Sequence, residues 1–276
     1  MRFSLKSKKP MMKDFELRIL TKEVTELARS IGMTIKDEIK RVSDKDIQEK
    51  GKSDFVTYVD KVAEETIVQK LRSLFPDAGY LTEEDTANEK KEYMWIVDPL
   101  DGTTNFIHNV PLYSISIALR HKNETISGVV YEPNLDECFF AWKGGGTFVN
   151  DKEIKVSDNK TLSDSLIATG FPYEKDRKLS DYMDVLQQFL EKSHGIRRLG
   201  SAAVDLAYVA CGRFEAFYEY GLKPWDIAAG AFIVRQAGGN VTDFKGESNY
   251  KDGSSIVASN GAIHSTMLDI LNKNMM

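Results

Sequence analysis

The apolar run Trp95-Ile96-Val97 passes without a break into Asp98-Pro99-Leu100-Asp101-Gly102-Thr103-Thr104. Two carboxylates three residues apart, at a strand end stiffened by proline, make hard oxygen ligands for Mg²⁺. That ion prefers octahedral oxygen coordination and keeps water positions free for a phosphate. The backbone N–H groups of Gly102, Thr103 and Thr104 would line a following helical turn and can receive phosphate oxygens. The same residues also suit an ordinary turn, with Asp98 capping it and Gly102 permitting the bend. Further acids stand elsewhere: Glu83-Glu84-Asp85 ends another short apolar run, and Asp226 follows Trp225 at the start of a strongly patterned helix. Each has a plain alternative, a solvated acidic loop for the first and a first-turn acid favoured by the helix dipole for the second.

The elements that must position these residues are legible in the hydrophobic periodicity. Over 12–39, Leu17, Leu20, Val24, Leu27, Ile31 and Ile35 recur every three or four residues, which predicts an amphipathic helix. A second stripe, Val62, Ala63, Ile67, Leu71 and Leu74, predicts another, with Asp60 capping its start and Pro76 beyond its end. The polar segment SDKDIQEKGKSDF between them reads as a mobile loop. The runs 93–97, 114–119, 126–131 and 137–142 are β-branched or aromatic and read as antiparallel strands. Beyond Gly144-Gly145-Gly146, strands at 166–171, 214–218 and 255–258 alternate with helices near 181–191, 202–211, 225–237 and the C-terminus. The mixture indicates α+β layers rather than a regular βα repeat. Residues 1–11 read as a loose leader or an expression remnant, and 12–276 as one domain of two intimate halves, about 12–160 and 161–276.

Composition narrows the function. With 42 acidic against 37 basic side chains the net charge is −5, so no general attraction to nucleic acid is expected. Two distant cysteines, Cys138 and Cys211, support neither a disulfide scaffold nor a Cys-based zinc cluster, and a reducing cytoplasm fits best. No apolar run approaches the length of a membrane span. His108, His121, His194 and His264 are scattered without ligand spacing. The pairs Lys50/Lys52 and Arg197/Arg198 could attract phosphate, although such charges are more often simply solvated.

Taken together, Glu83-Glu84, Trp95-x-x-Asp98-Pro99-Leu100-Asp101-Gly102-Thr103 and Trp225-Asp226-x-Ala228-Ala229-Gly230 resemble the paired signatures of the inositol monophosphatase family. Asp54-Phe55-Val56-Thr57-x-x-Asp60 and Gly200-Ser201-Ala202-Ala203 match as well, and the resemblance runs from Met12 to the C-terminus. One position departs: a glycine commonly precedes the Glu-Glu pair, and Thr82 stands there.

The resemblance implies a layered αβαβα sandwich of the inositol monophosphatase and fructose-1,6-bisphosphatase type, assembled as a homodimer. It implies that Glu83, Asp98 and the carbonyl of Leu100 hold one Mg²⁺, that Asp98, Asp101 and Asp226 hold a second, and that a weaker third lies near Glu83 and the loop with Lys52 and Asp54. Glu83 and Thr103, the latter polarised by Asp54, would orient a water molecule for attack on phosphorus. Asp101, Gly102, Thr103, Thr104, Gly200, Ala202 and Glu219 would contact phosphate or substrate, Glu219 at a ring hydroxyl. The implied activity is that of a Mg²⁺-dependent, lithium-sensitive phosphatase of inositol monophosphate or similar small polyol phosphates. Relatives acting on NADP, fructose 1,6-bisphosphate, 3′-phosphoadenosine 5′-phosphate or histidinol phosphate are alternatives. A catalytically silent interaction or RNA-associated module is the reading from another class.

Overall fold

In the computed structural model of the chain, which describes residues 12–38, 47–51, 54–172 and 178–275, three layers of helix alternate with two of sheet. The expected leader, 1–11, lies outside these residues. The chain opens with α1 (Asp14–Glu38), a hairpin of β1 (Ile47–Gly51) and β2 (Asp54–Thr57), and α2 (Tyr58–Leu74). The hairpin corrects the loop expected at 43–55: Ile47, Phe55 and Val56 are strand formers, and the two strands pair antiparallel. Lys52 lies outside the described residues.

Eight strands then build the larger sheet: β3 (Gly79–Thr82), β4 (Asn88–Glu89), β5 (Tyr93–Asp101), β6 (Ser114–His121), β7 (Glu124–Glu132), β8 (Glu137–Trp142), β9 (Thr147–Val149) and β10 (Lys152–Glu153). Their order is β10-β9-β8-β7-β6-β5-β3-β4, antiparallel throughout except where β3 runs parallel to β5. A five-residue helix, α3 (Thr103–Ile107), follows β5 directly.

The pleat sorts side chains into two cores. Trp95, Val97, Ile117, Leu119, Val129 and Tyr131 pack with the stripes of α1 and α2, whereas Ile96, Ala118, Val130 and Phe139 point to the opposite face. Because both faces are covered, these strands read as continuous apolar runs rather than as an alternation. The stripe of α2 runs through Val59, Ala63, Ile67 and Leu71, while Val62 faces water at 56 % exposure, one position away from the expected register. Helix α2 also begins at Tyr58, which puts Asp60 inside the first turn, buried, instead of at the cap.

The second sheet and its helices come from β11 (Leu166–Thr169), α4 (Lys178–Lys192), β12 (Gly195–Arg197), α5 (Ala202–Ala210), β13 (Ala216–Tyr220), α6 (Pro224–Gln236), β14 (Asn240–Thr242), β15 (Ser255–Ser259) and α7 (His264–Met275). Strand order is β12-β11-β13-β15-β14, with β11 parallel to both neighbours. Relative to expectation, the first strand stops at Thr169 and the second slides to 216–220, beyond the turn at Cys211 and Gly212 that ends α5.

Helices α5 and α6 fill the space between the sheets, packing Leu206, Ile227, Ile233 and Val234 with Ile96 and Val130 on one side and Phe217, Ile256 and Ala258 on the other. Every residue of α5 is buried, and its alanines let the layers approach closely. On the outer face of the small sheet, Tyr182, Val185 and Phe189 of α4 and Met267, Ile270 and Leu271 of α7 cover Ile167, Tyr218 and Val257. The result is the five-layer αβαβα sandwich. Among the described residues, no helix is long and apolar enough to cross a membrane.

The fit between α6 and the large sheet depends on Gly128 of β7, where a side-chain carbon would stand 2.9 Å from the Ala229 carbonyl oxygen and 3.2 Å from its Cα. Gly128→Val must push α6 away from the sheet, and overpacking of this kind costs about 1–3 kcal/mol. The expected outcome is a melting temperature lower by about 5 °C or more. An unchanged melt would show that the helix can retreat freely.

Candidate active site

Strand β5 carries two of the predicted acids, and its pairing with β6 breaks register between Asp98 and Asp101. Pro99 sits in that break and has no N–H to offer the ladder, so the strand bulges there. The Leu100 N–H turns inward and donates to Asp98 Oδ1 at 2.9 Å. The Leu100 carbonyl accepts from Thr103 Oγ1 at 3.0 Å. Gly102 follows with φ 98°, the left-handed conformation that suits glycine, and α3 begins immediately after it. Asp101 Oδ2 accepts from Ser201 Oγ at 2.6 Å and from the Ala203 N–H at 2.7 Å, which fixes it to the first turn of α5.

Three other elements complete the cleft. Parallel pairing of β3 with β5 continues one residue further, the Glu83 N–H donating to Val97 O at 3.2 Å, and this places Glu83 beside Asp98. The turn after Glu83 is held by Glu64 of α2, whose carboxylate accepts from the N–H groups of Glu84 (2.8 Å) and Thr86 (3.0 Å) and from Thr86 Oγ1 (2.7 Å). Thr82, in the place where the family commonly has glycine, is buried; its hydroxyl donates to Ala87 O at 3.2 Å and so closes the same turn. Asp226 lies in the first turn of α6, its Oδ2 accepting from the Lys223 N–H at 2.7 Å. Ser116 Oγ of β6 donates to Trp225 O at 3.1 Å and ties that turn to the large sheet.

A cleft of about 160 Å³ thus brings together Glu83, Asp98, Leu100, Asp101 and Asp226. Gly102, Thr103 and Thr104 line the same wall. Gly200, Ala202 and Glu219 line the cleft as well. Asn105 clamps the two walls, donating through Nδ2 to Leu112 O at 2.7 Å and to Leu199 O at 2.8 Å. The backbone of Asp54 opens β2, but its side chain lies outside the described residues. Thr103 Oγ1 has Asp60 Oδ1 at 3.2 Å. Asp60 and Glu64 are the residues that sequence reasoning missed. The signal for Asp60 was present in the Thr57-x-x-Asp60 pattern, which belongs to the family resemblance, although the one role given to Asp60 itself was helix capping. None of the four histidines lines the cleft; His264, for one, is buried between Thr242 Oγ1 (3.0 Å) and Ser259 Oγ (2.8 Å).

Gathering acids in one place shifts their titration. Withdrawal from water, followed by repulsion from Glu83, Asp101 and Asp226, holds the Asp98 carboxyl well above the usual range. Withdrawal from water does the same to Asp226, with Asp101 the next contribution. Asp101 is pushed up to about 6 by burial, the hydrogen bonds from Ser201 and Ala203 drawing it partly back. Burial raises Glu219 to about 8, against the opposing pull of Arg198.

The donors are all oxygen, which suits a hard divalent cation. Among the described residues no three of these side chains stand close enough to hold an ion by themselves. An ion that uses one or two carboxylates and keeps several waters fits such spacing.

The family model described as the inositol monophosphatase family matches residues 16–276. The chain belongs to the inositol monophosphatase family. Among relatives, it is 40 % identical over 254 residues to the Nus factor SuhB of Pseudomonas aeruginosa, covering 90 % of this chain and 94 % of that one. It is 39 % identical over 252 residues to the inositol-1-monophosphatase of Mesorhizobium japonicum, covering 91 % and 95 %. Among solved structures, the extragenic suppressor protein SuhB of Bartonella henselae superposes with a TM-score of 0.86 at 37 % identity, over 92 % of this chain and 99 % of that one. A lithium-soaked inhibitory complex of a staphylococcal inositol monophosphatase gives 0.83 at 26 % identity, over 96 % and 97 %. Family members thus carry both enzyme names and the name of a Nus factor.

Protonation of the acid cluster has a consequence for stability. The folded chain holds the Asp101 proton up to about pH 6, whereas an ordinary aspartate releases it near 3.8. Between those values the folded state binds more protons than the unfolded one, so stability falls as pH rises through the window and the contribution is gone above it. Chelated protein should therefore melt a few degrees higher near pH 5 than near pH 7, with Mg²⁺ restoring the loss at the higher pH. A melting temperature that rises with pH in chelator would contradict the raised carboxyls.

Proposed function

We propose that the chain is a Mg²⁺-dependent phosphomonoesterase that hydrolyses inositol monophosphate or a similar small polyol phosphate. The observation that supports this reading is the meeting of Glu83, Asp98, Asp101 and Asp226 in one cleft beside the amides of Gly102, Thr103 and Thr104. So much negative charge at one point is costly unless a cation offsets it, and amides beside that cation suit a phosphate.

Two to three Mg²⁺ ions, held by Glu83, Asp98, the Leu100 carbonyl, Asp101 and Asp226, would stabilise the phosphoryl and leaving oxygens and make water more acidic. The chain's own groups do the rest. The single Thr103 hydroxyl hydrogen is shared between Asp60 Oδ1 and the Leu100 carbonyl, which leaves a Thr103 lone pair to orient the attacking water. Glu83 takes up that water's proton. In this reading Asp60 polarises Thr103, a role the resemblance gives to Asp54. The amides of Gly102, Thr103 and Thr104 donate to the phosphoryl oxygens, and no side chain of the protein forms a covalent bond to phosphorus. The backbone at Gly200 and Ala202 and the Glu219 carboxyl face the polyol. Lithium inhibition, a homodimer and a cytoplasmic location belong to the same reading; the unbridged Cys138 and Cys211 support a reducing compartment.

The names of the SuhB relatives favour a second reading, a Nus factor in which the cleft is catalytically silent. The net charge of −5 supports the proposal without nucleic acid as partner. Phosphate release separates the two readings. Release from inositol monophosphate should vanish in excess chelator, return with Mg²⁺ and fail with Ca²⁺, whose larger, irregular coordination sphere does not reproduce octahedral geometry. Activity that survives exhaustive chelation, or none under any condition, would refute the proposal.

A further prediction isolates the water-orienting pair. Asp60→Asn and Thr103→Ala remove none of the proposed metal ligands, so each should lower kcat by about 10²-fold or more while the Mg²⁺ dependence changes little. Asp98→Asn should instead raise the Mg²⁺ requirement. Titrations of rate against Mg²⁺ check both, and a Thr103→Ala enzyme with full turnover would remove that residue from the mechanism.

A further inference from the structure

Beyond the metal-binding acids the cleft has a second polar end, lined by Asp205, Glu219 and Arg198. Asp205 belongs to α5, a helix buried along its whole length and otherwise composed, apart from Tyr208, of alanine, valine and leucine. Its side chain is 1 % exposed, and Oδ1 has no hydrogen-bond partner in the protein. The proposed metal ligands differ in this respect: Asp98, Asp101 and Asp226 each accept a backbone N–H. Packing does not call for an acid at this point of α5, where a neutral side chain of similar size would satisfy the core. A buried acceptor without a donor is costly, and native proteins supply the donor as a neighbour, a water or a ligand. The direction is set by the surroundings. Asp205 borders the cleft, its carboxyl and that of Glu219 are near enough to repel each other, and Arg198 stands at the rim with its guanidinium 5.8 Å from the centre of the Phe171 ring.

We propose that Asp205 accepts a hydrogen bond from a substrate hydroxyl next to the one that faces Glu219, so that the cleft selects a polyol phosphate with two neighbouring free hydroxyls remote from its phosphate. The two carboxyls come from different elements, α5 and β13, and both line this end of the cleft, near enough to repel each other. A hydroxyl brings the donor that Asp205 Oδ1 lacks. The inference rests on the phosphomonoesterase reading of the same site.

The test measures kcat/KM for inositol 1-phosphate and for cyclohexyl phosphate, a ring without hydroxyls, in saturating Mg²⁺, for wild type, Asp205→Ala and Asp205→Asn. Wild type should prefer the polyol. Asp205→Ala should reduce that preference by about ten- to a hundredfold, chiefly through KM, and Asp205→Asn, which keeps an acceptor, should recover part of it. A preference unaltered in both variants would show that Asp205 is served by an ordered water and overturn the proposal. If both variants prove unfolded by thermal melting, deoxy analogues decide with the wild-type enzyme: loss of either of two adjacent hydroxyls costing about tenfold supports the diol site, and no such pair overturns it. A wild-type enzyme that cleaves both phosphates equally well overturns this inference while leaving the phosphatase reading intact. The absence of phosphate release from either substrate overturns the phosphatase reading itself.

Discussion

The arrangement of this molecule turns on mutual repulsion among carboxylates. Glu83, Asp98, Asp101 and Asp226 occupy one cleft, and each raises the cost of ionising the next. Left on flexible loops they would swing apart. They stay because each is fixed by backbone: Glu83 by the parallel pairing of β3 with β5, Asp98 by the bulge at Pro99, Asp101 by the first turn of α5, and Asp226 by the first turn of α6. The five layers can be understood as the means of bringing those four anchors to one edge. The buried alanines of α5 and the absence of a side chain at Gly128 allow the middle helices to sit close enough to both sheets for their N-terminal turns to reach the end of β5.

A second set of contacts keeps the cleft in register across the two sheets. Asn105 bonds to Leu112 and Leu199, Ser201 bonds to Asp101, and Ser116 bonds to the Trp225 carbonyl. These are neutral donors placed where water is scarce, so each replaces solvation that the neighbouring carbonyl or carboxylate loses on folding. Their loss would loosen the walls relative to one another without removing a charge from the cleft.

Most of the elements were legible in the sequence, because strands buried on both faces leave unbroken apolar runs and the outer helices leave stripes of period 3.6, whereas the order of the five layers came from the family resemblance. Val62 was misplaced since two adjacent apolar residues at a stripe's edge cannot be ordered without knowing where the helix starts. The hairpin before α2 was invisible because its strands are short and largely polar, so that periodicity carries little information. At the site, Asp98, Asp101 and Asp226 could be read because they sit at element boundaries with strong local signatures. Asp60 and Glu64 could not, beyond the appearance of Asp60 in the family pattern. They act through partners that lie far ahead in the chain, Thr103 for one and Glu84 with Thr86 for the other, and local spacing holds no record of such pairs.

That pair of contacts has a mechanical meaning. Asp60 and Glu64 are one turn apart on α2, so the same rigid rod carries the acceptor for Thr103 and the brace for the turn that bears Glu83. Sliding or rotating α2 by a fraction of a turn displaces both together, and neither can be retuned alone. The helix therefore acts as a common shaft. It keeps the Thr103 hydroxyl and the Glu83 carboxylate in phase, although neither of its own contacting acids is among the proposed metal ligands.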